Sequence, residues 1–228
     1  MPGATSGRRA AGPAGPPRGA DTLGGMEPTL AIHPLRDADR REAVQVLARA
    51  FRDNPLNRAV IGEAAPERRL RSNRHGMRAL LPVAQKNGCA LVGRWRGRLA
   101  AALVATPPLV YPLPPPPLAA RLRCLAGQGL RTAQRWSRVF EAVAAHHPPE
   151  PHSYLATLGV DPELQGRGLG SALLRHWLEQ ADRWGRPVYL ETDRPQNLAF
   201  YAREGFAVEG EIPVLGVRVF RMRRPLRG

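Results

Sequence analysis

The sequence predicts a mixed α/β domain built on one central sheet, and three patterns carry that prediction. Residues 154–160 form an apolar strand pattern, followed by a glycine-rich turn, a helix pattern and a second strand at 188–191, which is a parallel strand–helix–strand crossover. Residues 89–93 and 98–105 read as a hairpin turned at Arg96-Gly97. Residues 206–209 and 218–222 read as two further strands that close the sheet antiparallel.

In chain order, residues 1–27 are mostly Gly, Pro, Ala and Arg, with almost nothing to bury, and are expected to be a disordered tail. Met26 stands just before the first patterned segment, so translation from Met26 and a true flexible tail both remain open. A single domain is expected over 28–228. Residues 30–32 suggest a short strand. Asp39-x-x-Glu42 has the form of a capping box opening a helix whose apolar face is Ala43, Val46, Leu47, Ala50 and Phe51, with Asp53-Asn54-Pro55 ending it. An Arg-rich helix is predicted over 66–85, stopped by Asn87-Gly88. The proline stretch 107–117 is predicted as a rigid loop and 118–145 as helical. After the glycine turn, a helix from Ser171 places Leu173, Leu174, Trp177, Leu178 and Ala181 on one face, and residues 197–204 form a short helix.

Composition narrows the function. The 228 residues (24.9 kDa) carry 34 Lys plus Arg against 19 Asp plus Glu, for a net charge of +15. No acid lies between Glu67 and Glu141, and the fourteen basic residues of 68–140 account for +14 of that charge. Such a block suits nucleic acid, an acidic partner or an anionic ligand. Cys89 and Cys124 fit neither a disulfide scaffold nor a zinc spacing and are expected to be reduced packing residues. Residues 99–120 are uncharged over 22 positions, yet seven prolines from Pro107 to Pro117 exclude a membrane helix. Arg8-Arg9 lacks the apolar stretch of an export signal, so a cytoplasmic protein is expected.

Gln165-Gly166-Arg167-Gly168-Leu169-Gly170 joins a strand to a helix N-terminus. Glycines allow close backbone approach, and the free first-turn amides with the helix dipole suit a phosphate or pyrophosphate; a turn that merely packs strand on helix is the alternative. A P-loop fails because no Lys precedes Ser171. A dinucleotide fingerprint has an acid in place at Glu191, but its last glycine would fall on Ser171, and no further βα units follow.

Gln165-x-x-Gly168-x-Gly170, with Leu190-Glu191-Thr192, Asn197, Phe200-Tyr201 and Gly205-Phe206 behind it, resembles the GNAT N-acetyltransferase superfamily. Residues 147–174, with Arg186-Pro187 and Met222-x-Arg224-Pro225, resemble its puromycin N-acetyltransferase group in particular. The likeness is strong over 147–225, thinner over 30–106 and absent over 1–27. The resemblance implies a GNAT acyltransferase fold: a mostly antiparallel central sheet with one splayed parallel strand pair and flanking helices. It implies acetyl-CoA as co-substrate and no metal. The pantetheine arm would pair with the backbone of Leu158, Gly159 and Val160. Pyrophosphate would lie on Gln165, Gly166, Arg167, Gly168, Leu169, Gly170 and Ser171. Asn197 matches a cofactor contact, with a helix N-cap as its other reading. Tyr201 matches the general acid that protonates the departing thiolate.

The resemblance gives no general base. Many members have a Glu early in the fourth strand, where this chain has Tyr154; Glu141, Glu150 and His152 lie nearby in sequence. His146, His147 and His152 lack a metal-ligand spacing and are expected to be solvent-exposed. Val104-Ala105-Thr106-Pro107 also departs from the Trp and Pro that relatives often carry there. The implied activity is acetyl transfer to a primary amine of a small molecule. The competing classes are a nucleic-acid-binding regulator and an acyl-CoA sensor without turnover. Against nucleic acid as partner stands the absence of aromatic-interleaved RNA-reading strands or a helix-turn-helix.

Overall fold

The computed structural model describes residues 29–63 and 65–226; the predicted tail at 1–27 lies outside them. Among the described residues, seven strands form one sheet in the order β1-β2-β3-β4-β5-β7-β6. The strands are β1 (Ala31–Pro34), β2 (Cys89–Trp95), β3 (Arg98–Thr106), β4 (Ser153–Val160), β5 (Val188–Thr192), β6 (Ala207–Val214) and β7 (Val217–Arg224). Only β4 and β5 pair in parallel; β1–β2, β2–β3, β3–β4, β5–β7 and β6–β7 are antiparallel. The mixed sheet is the one expected.

Helices cover both faces. Between β4 and β5, α6 (Leu169–Asp182) sets the predicted face of Leu173, Leu174, Trp177, Leu178 and Ala181 on Leu103, Leu155, Val188 and Leu190, with Tyr201 of α7 (Gln196–Arg203) and Phe206 beside them. On the opposite face, α1 (Arg40–Ala50) and α3 (Pro66–Asn87) close over Val92, Ala102 and Val104. The chain ends its sheet in a third cluster, where Val60 and Ile61 of α2 (Pro55–Ile61) and Val139 of α5 (Leu130–Ala145) meet Ile212 and Val219. Trp177 is fully buried at the centre of the α6 layer. Trp177→Ala is expected to cost about 3–5 kcal/mol through lost burial and the cavity left behind, measured as a lower urea midpoint at unchanged slope.

Several local expectations are corrected. Asp39 does not form a capping box with Glu42: its carboxylate accepts from the Arg36 amide (3.3 Å), while Arg94 ties Asp39 (3.0 Å) and Glu42 (2.8 Å) to the sheet. Asn54-Pro55 ends one helix but also starts α2, because proline is well placed at a first helical position. The helical stretch expected over 118–145, with a helix at 131–145, consists of α4 (Leu118–Gln128) and α5, separated at Gly129, whose φ of +84° no helix admits. α6 begins at Leu169 rather than Ser171. The strand expected at 206–209 begins at Ala207 and runs on, pairing with β7 through to Val214↔Val217. Among the described residues, no helix is long and apolar enough to cross a membrane.

Candidate active site

Two defects in the sheet make the site. The β3–β4 register shifts between Val104 and Ala105, so the step from Leu155 to Thr157 faces one step of β3 and Ala156 is a bulge. On its other edge, β4 pairs with β5 only from Ser153↔Val188 to Leu155↔Leu190. Beyond that point the two parallel strands part, leaving the β4 edge from Ala156 to Val160 without a strand beside it. A cleft of about 400 Å³ opens in the fork, lined by Leu158, Gly159 and Val160 on one wall and by Asn197, Phe200 and Tyr201 on the other. Gly159 has to be glycine because α1 passes close by: a Cβ would stand 2.8 Å from Leu47 and 3.0 Å from Ala50.

The glycine turn floors the same cleft. Gly166 (φ +78°) and Gly168 (φ +74°) both occupy the left-handed region, which explains two of the motif's glycines. Gln165 donates from Nε2 to the Val160 carbonyl (3.1 Å), tying the turn to the strand end. Gly168 accepts from Ala172 N (2.9 Å) as the first helical bond, so the amides of Leu169, Gly170 and Ser171 precede the helical ladder and border the cleft. Those amides, with the helix dipole, leave donors of the kind that suit an anion. Arg167 lies outside the cleft wall, its guanidinium 5.3 Å from the Trp95 ring, which Arg96 also covers at 4.5 Å. Arg194 and Arg203, not foreseen from the sequence, supply positive charge to the wall instead.

Asn197 is the second residue of α7 and not its N-cap; its amide donates to Thr192 Oγ1 (3.2 Å) from a position on the cleft wall. Tyr201 is 7% exposed, and burial together with the nearby Asp193 charge pushes its hydroxyl well above the usual phenol range. It therefore keeps its proton at every working pH. Asp193 accepts from Leu56 N (2.8 Å) and Asn54 Nδ2 (3.2 Å), which fixes the entry to α2 beside the fork. Burial raises its own pKa.

At the apex of the fork the structure brings together residues that the sequence scattered. Glu191 is the first β5 residue past the last parallel pair, and its side chain is 7% exposed. Tyr154 and Tyr189 adjoin it, both with pKa values raised by burial first and by the Glu191 charge second. Above them, Tyr111 from the proline loop stacks on His147 (centroids 3.5 Å apart, 12° between planes). Here the expectation of solvent-exposed histidines fails for two of three: the side chain of His147 is only 6% exposed and His152 is buried, while His146 stays at the surface. The bulk of Tyr111, Tyr154 and Tyr189 covers them. Burial also lowers the His152 pKa.

Both cysteines are free, and burial holds the Cys89 thiol at about 11, far from a nucleophile's range. Part of the basic block makes contacts within the molecule. Arg69, buried, donates to the carbonyls of Arg52 (2.8 Å), Gly62 (2.7 Å) and Glu63 (2.6 Å) and to Asp53 (2.7 Å). Arg94 and Arg98 pair with Asp39, Glu42 and Glu163, and Arg74 binds Gln45.

Residues 115–206 match the model of the Acetyltransferase (GNAT) family. N-alpha-acetyltransferase RimI of Mycobacterium tuberculosis is 45% identical over 74 residues, 30% of this chain and 46% of that protein, so the likeness spans about half of the relative's length. A crystal structure described as histone acetyltransferase HPA2 and related acetyltransferase, from Corynebacterium glutamicum, superposes with a TM-score of 0.68 at 24% identity, covering 87% of this chain and 97% of that one. The ribosomal-protein-S18-alanine N-acetyltransferase of Escherichia coli superposes with a TM-score of 0.52 at 16% identity over 88% and 96% of the two chains; at these identities the likeness is one of fold. The forked parallel pair and the glycine turn fall within the residues that match, so the likeness to the Acetyltransferase (GNAT) family rests on the segment that builds the cleft.

Proposed function

We propose that the protein transfers acetyl from acetyl-CoA to a primary amine of a small molecule, by direct attack of the amine while both substrates are bound. One observation carries this reading: the cleft runs along the free β4 edge from the glycine turn to Tyr201, a length of backbone and charge suited to a pantetheine arm ending in a diphosphate. The Leu169, Gly170 and Ser171 amides hold the diphosphate, and the backbone of Leu158, Gly159 and Val160 pairs with the pantetheine arm as an added strand would. The amide near Leu158 polarises the thioester carbonyl, a contribution realised as charge develops on its oxygen. Tyr201, held protonated by burial, gives its proton to the departing thiolate. Glu191, at the apex, takes the proton that the attacking nitrogen sheds.

A small acceptor is favoured because the stacked rings of Tyr111 and His147 lie over the apex. The likeness to RimI favours a second acceptor, a peptide α-amine, which the same assay tests. A nucleic-acid role is weakened by the internal pairing of the basic block; a salt-dependent gel shift checks it. Free thiols and the demand for acetyl-CoA fit the cytoplasm.

Tyr201→Phe tests the reading. Turnover, followed by thiol release with a panel of amines and short peptides, is expected to fall about 100-fold, while acetyl-CoA affinity by calorimetry stays within about twofold, since Phe keeps the ring packing. Unchanged turnover would remove Tyr201 from the reaction.

A further inference from the structure

Near the fork, His147 Nδ1, Tyr189 Oη and Glu191 Oε1 are buried without hydrogen-bond partners among the described residues. Hydrogen-bond logic explains the first and third. His152 Nδ1 lies 2.6 Å from the Glu150 carbonyl oxygen, which only accepts, so Nδ1 carries the hydrogen. Burial favours neutral His152, and a neutral imidazole has a single N–H, so its Nε2 is a lone pair. That Nε2 stands 2.8 Å from His147 Nε2, which must therefore donate. In the neutral ring His147 Nδ1 is then a lone pair as well, and it faces the Glu191 Oε1 at 3.7 Å. Two acceptors confront each other across a gap that lacks one proton.

We infer that His147 is the proton relay of this site, taking from Glu191 the proton that Glu191 removes from the amine, with His152 setting its tautomer. The inference rests on the acetyltransferase reading above. The attacking nitrogen forms its bond to the acyl carbon and releases one proton, keeping the N–H electron pair. That proton passes to Glu191 Oε1 and then to His147 Nδ1, while His147 Nε2–H stays on His152. Glu191 returns to carboxylate and His147 becomes imidazolium, so charge and protons balance; solvent takes the proton when product leaves. The imidazolium is well received. Glu191 faces it from β5, the Tyr111 ring covers it from the proline loop, and Tyr154 and Tyr189 pack at 5.0 and 5.1 Å. Arg223 of β7, paired with Glu150, acts against a charge on His152, and Arg221 of β7 binds the His146 carbonyl. The proton is thereby held on His147.

The test uses the full chain. In ¹⁵N-histidine-labelled protein, two-bond ¹⁵N–¹H correlations at neutral pH are expected to show His147 as the Nε2–H tautomer and His152 as Nδ1–H. His147→Phe keeps the stack on Tyr111 and removes the relay. Its kcat is expected to fall roughly tenfold or more at unchanged acetyl-CoA KM, and to rise with buffer or added imidazole concentration. Should that variant not fold, His147→Gln carries the same kinetic test. An Nδ1–H on resting His147, or a variant with wild-type kcat and no response to added imidazole, overturns the relay. Wild type that turns over no amine or peptide undoes the acetyltransferase reading and the relay with it, whereas an active wild type with an indifferent His147 undoes the relay alone.

Discussion

Glu191→Gln is expected to lower kcat by about 100- to 1000-fold while leaving the protein at least as stable as before. The amide replaces the carboxylate atom for atom, so the packing against Tyr154 and Tyr189 is kept. A buried carboxylate with an unpartnered oxygen is costly, and the lone pair on His147 Nδ1 faces it at 3.7 Å. A Gln amide can donate across that gap, turning two opposed acceptors into a donor and an acceptor. Thermal stability therefore holds or rises as activity falls, which separates loss of a base from loss of fold. Acetyl-CoA affinity stays near wild type, because Glu191 lies past the paired strands at the apex and not among the residues lining the cleft. Thiol release at saturating acetyl-CoA and a thermal melt check both halves. A kcat within threefold of wild type would take the base away from Glu191.

Most of the fold was legible because its signals are local. The β4–turn–α6–β5 crossover announces itself through an apolar run, alternate glycines and a 3.6-residue apolar face, and all three hold. What escaped depends on contacts between distant segments. Asp39 and Glu42 have capping spacing, but Arg94, 55 and 52 residues away, takes both. Gly129 was one glycine in a chain of many, and its backbone angle is what fixes the boundary between α4 and α5. The cleft residues Leu158, Gly159, Val160, Gly168 and Tyr201 were reachable because they share one stretch of chain with the glycine motif. The apex was not. Tyr111, His147, Tyr154 and Glu191 come from four segments, and the proline loop that delivers Tyr111 has no periodicity to read. Glu191 was noticed as the acid ending a strand, and the missing signal was where β4 and β5 stop pairing, which a sequence does not display.

Gly168→Asp is expected to abolish acetyl-CoA binding in a folded protein. The usual objection to replacing a glycine at φ +74° is strain, yet Asp and Asn tolerate the left-handed region better than other residues, and a Cβ on Gly168 meets nothing within 4 Å. The new carboxylate would stand at the N-cap of α6, beside the amides of Leu169, Gly170 and Ser171 and at the positive end of the helix dipole. It would satisfy the helix itself, and in doing so would occupy the cradle. A diphosphate arriving there would meet a fixed negative charge. Each unit charge of the diphosphate at about 5 Å from it in an effective dielectric of about 40 costs roughly 1.7 kcal/mol, so its two charges cost roughly 3 kcal/mol, or more than a hundredfold in affinity. Gly168→Asn is the matched control, with the same shape and backbone tolerance and no charge, and is expected to lose about tenfold or less. Calorimetric titration of acetyl-CoA into both variants, beside a urea melt of each, isolates the charge. Equal affinities for the two would mean that the amides of this turn only begin a helix; a gap of two orders of magnitude would place the diphosphate on them.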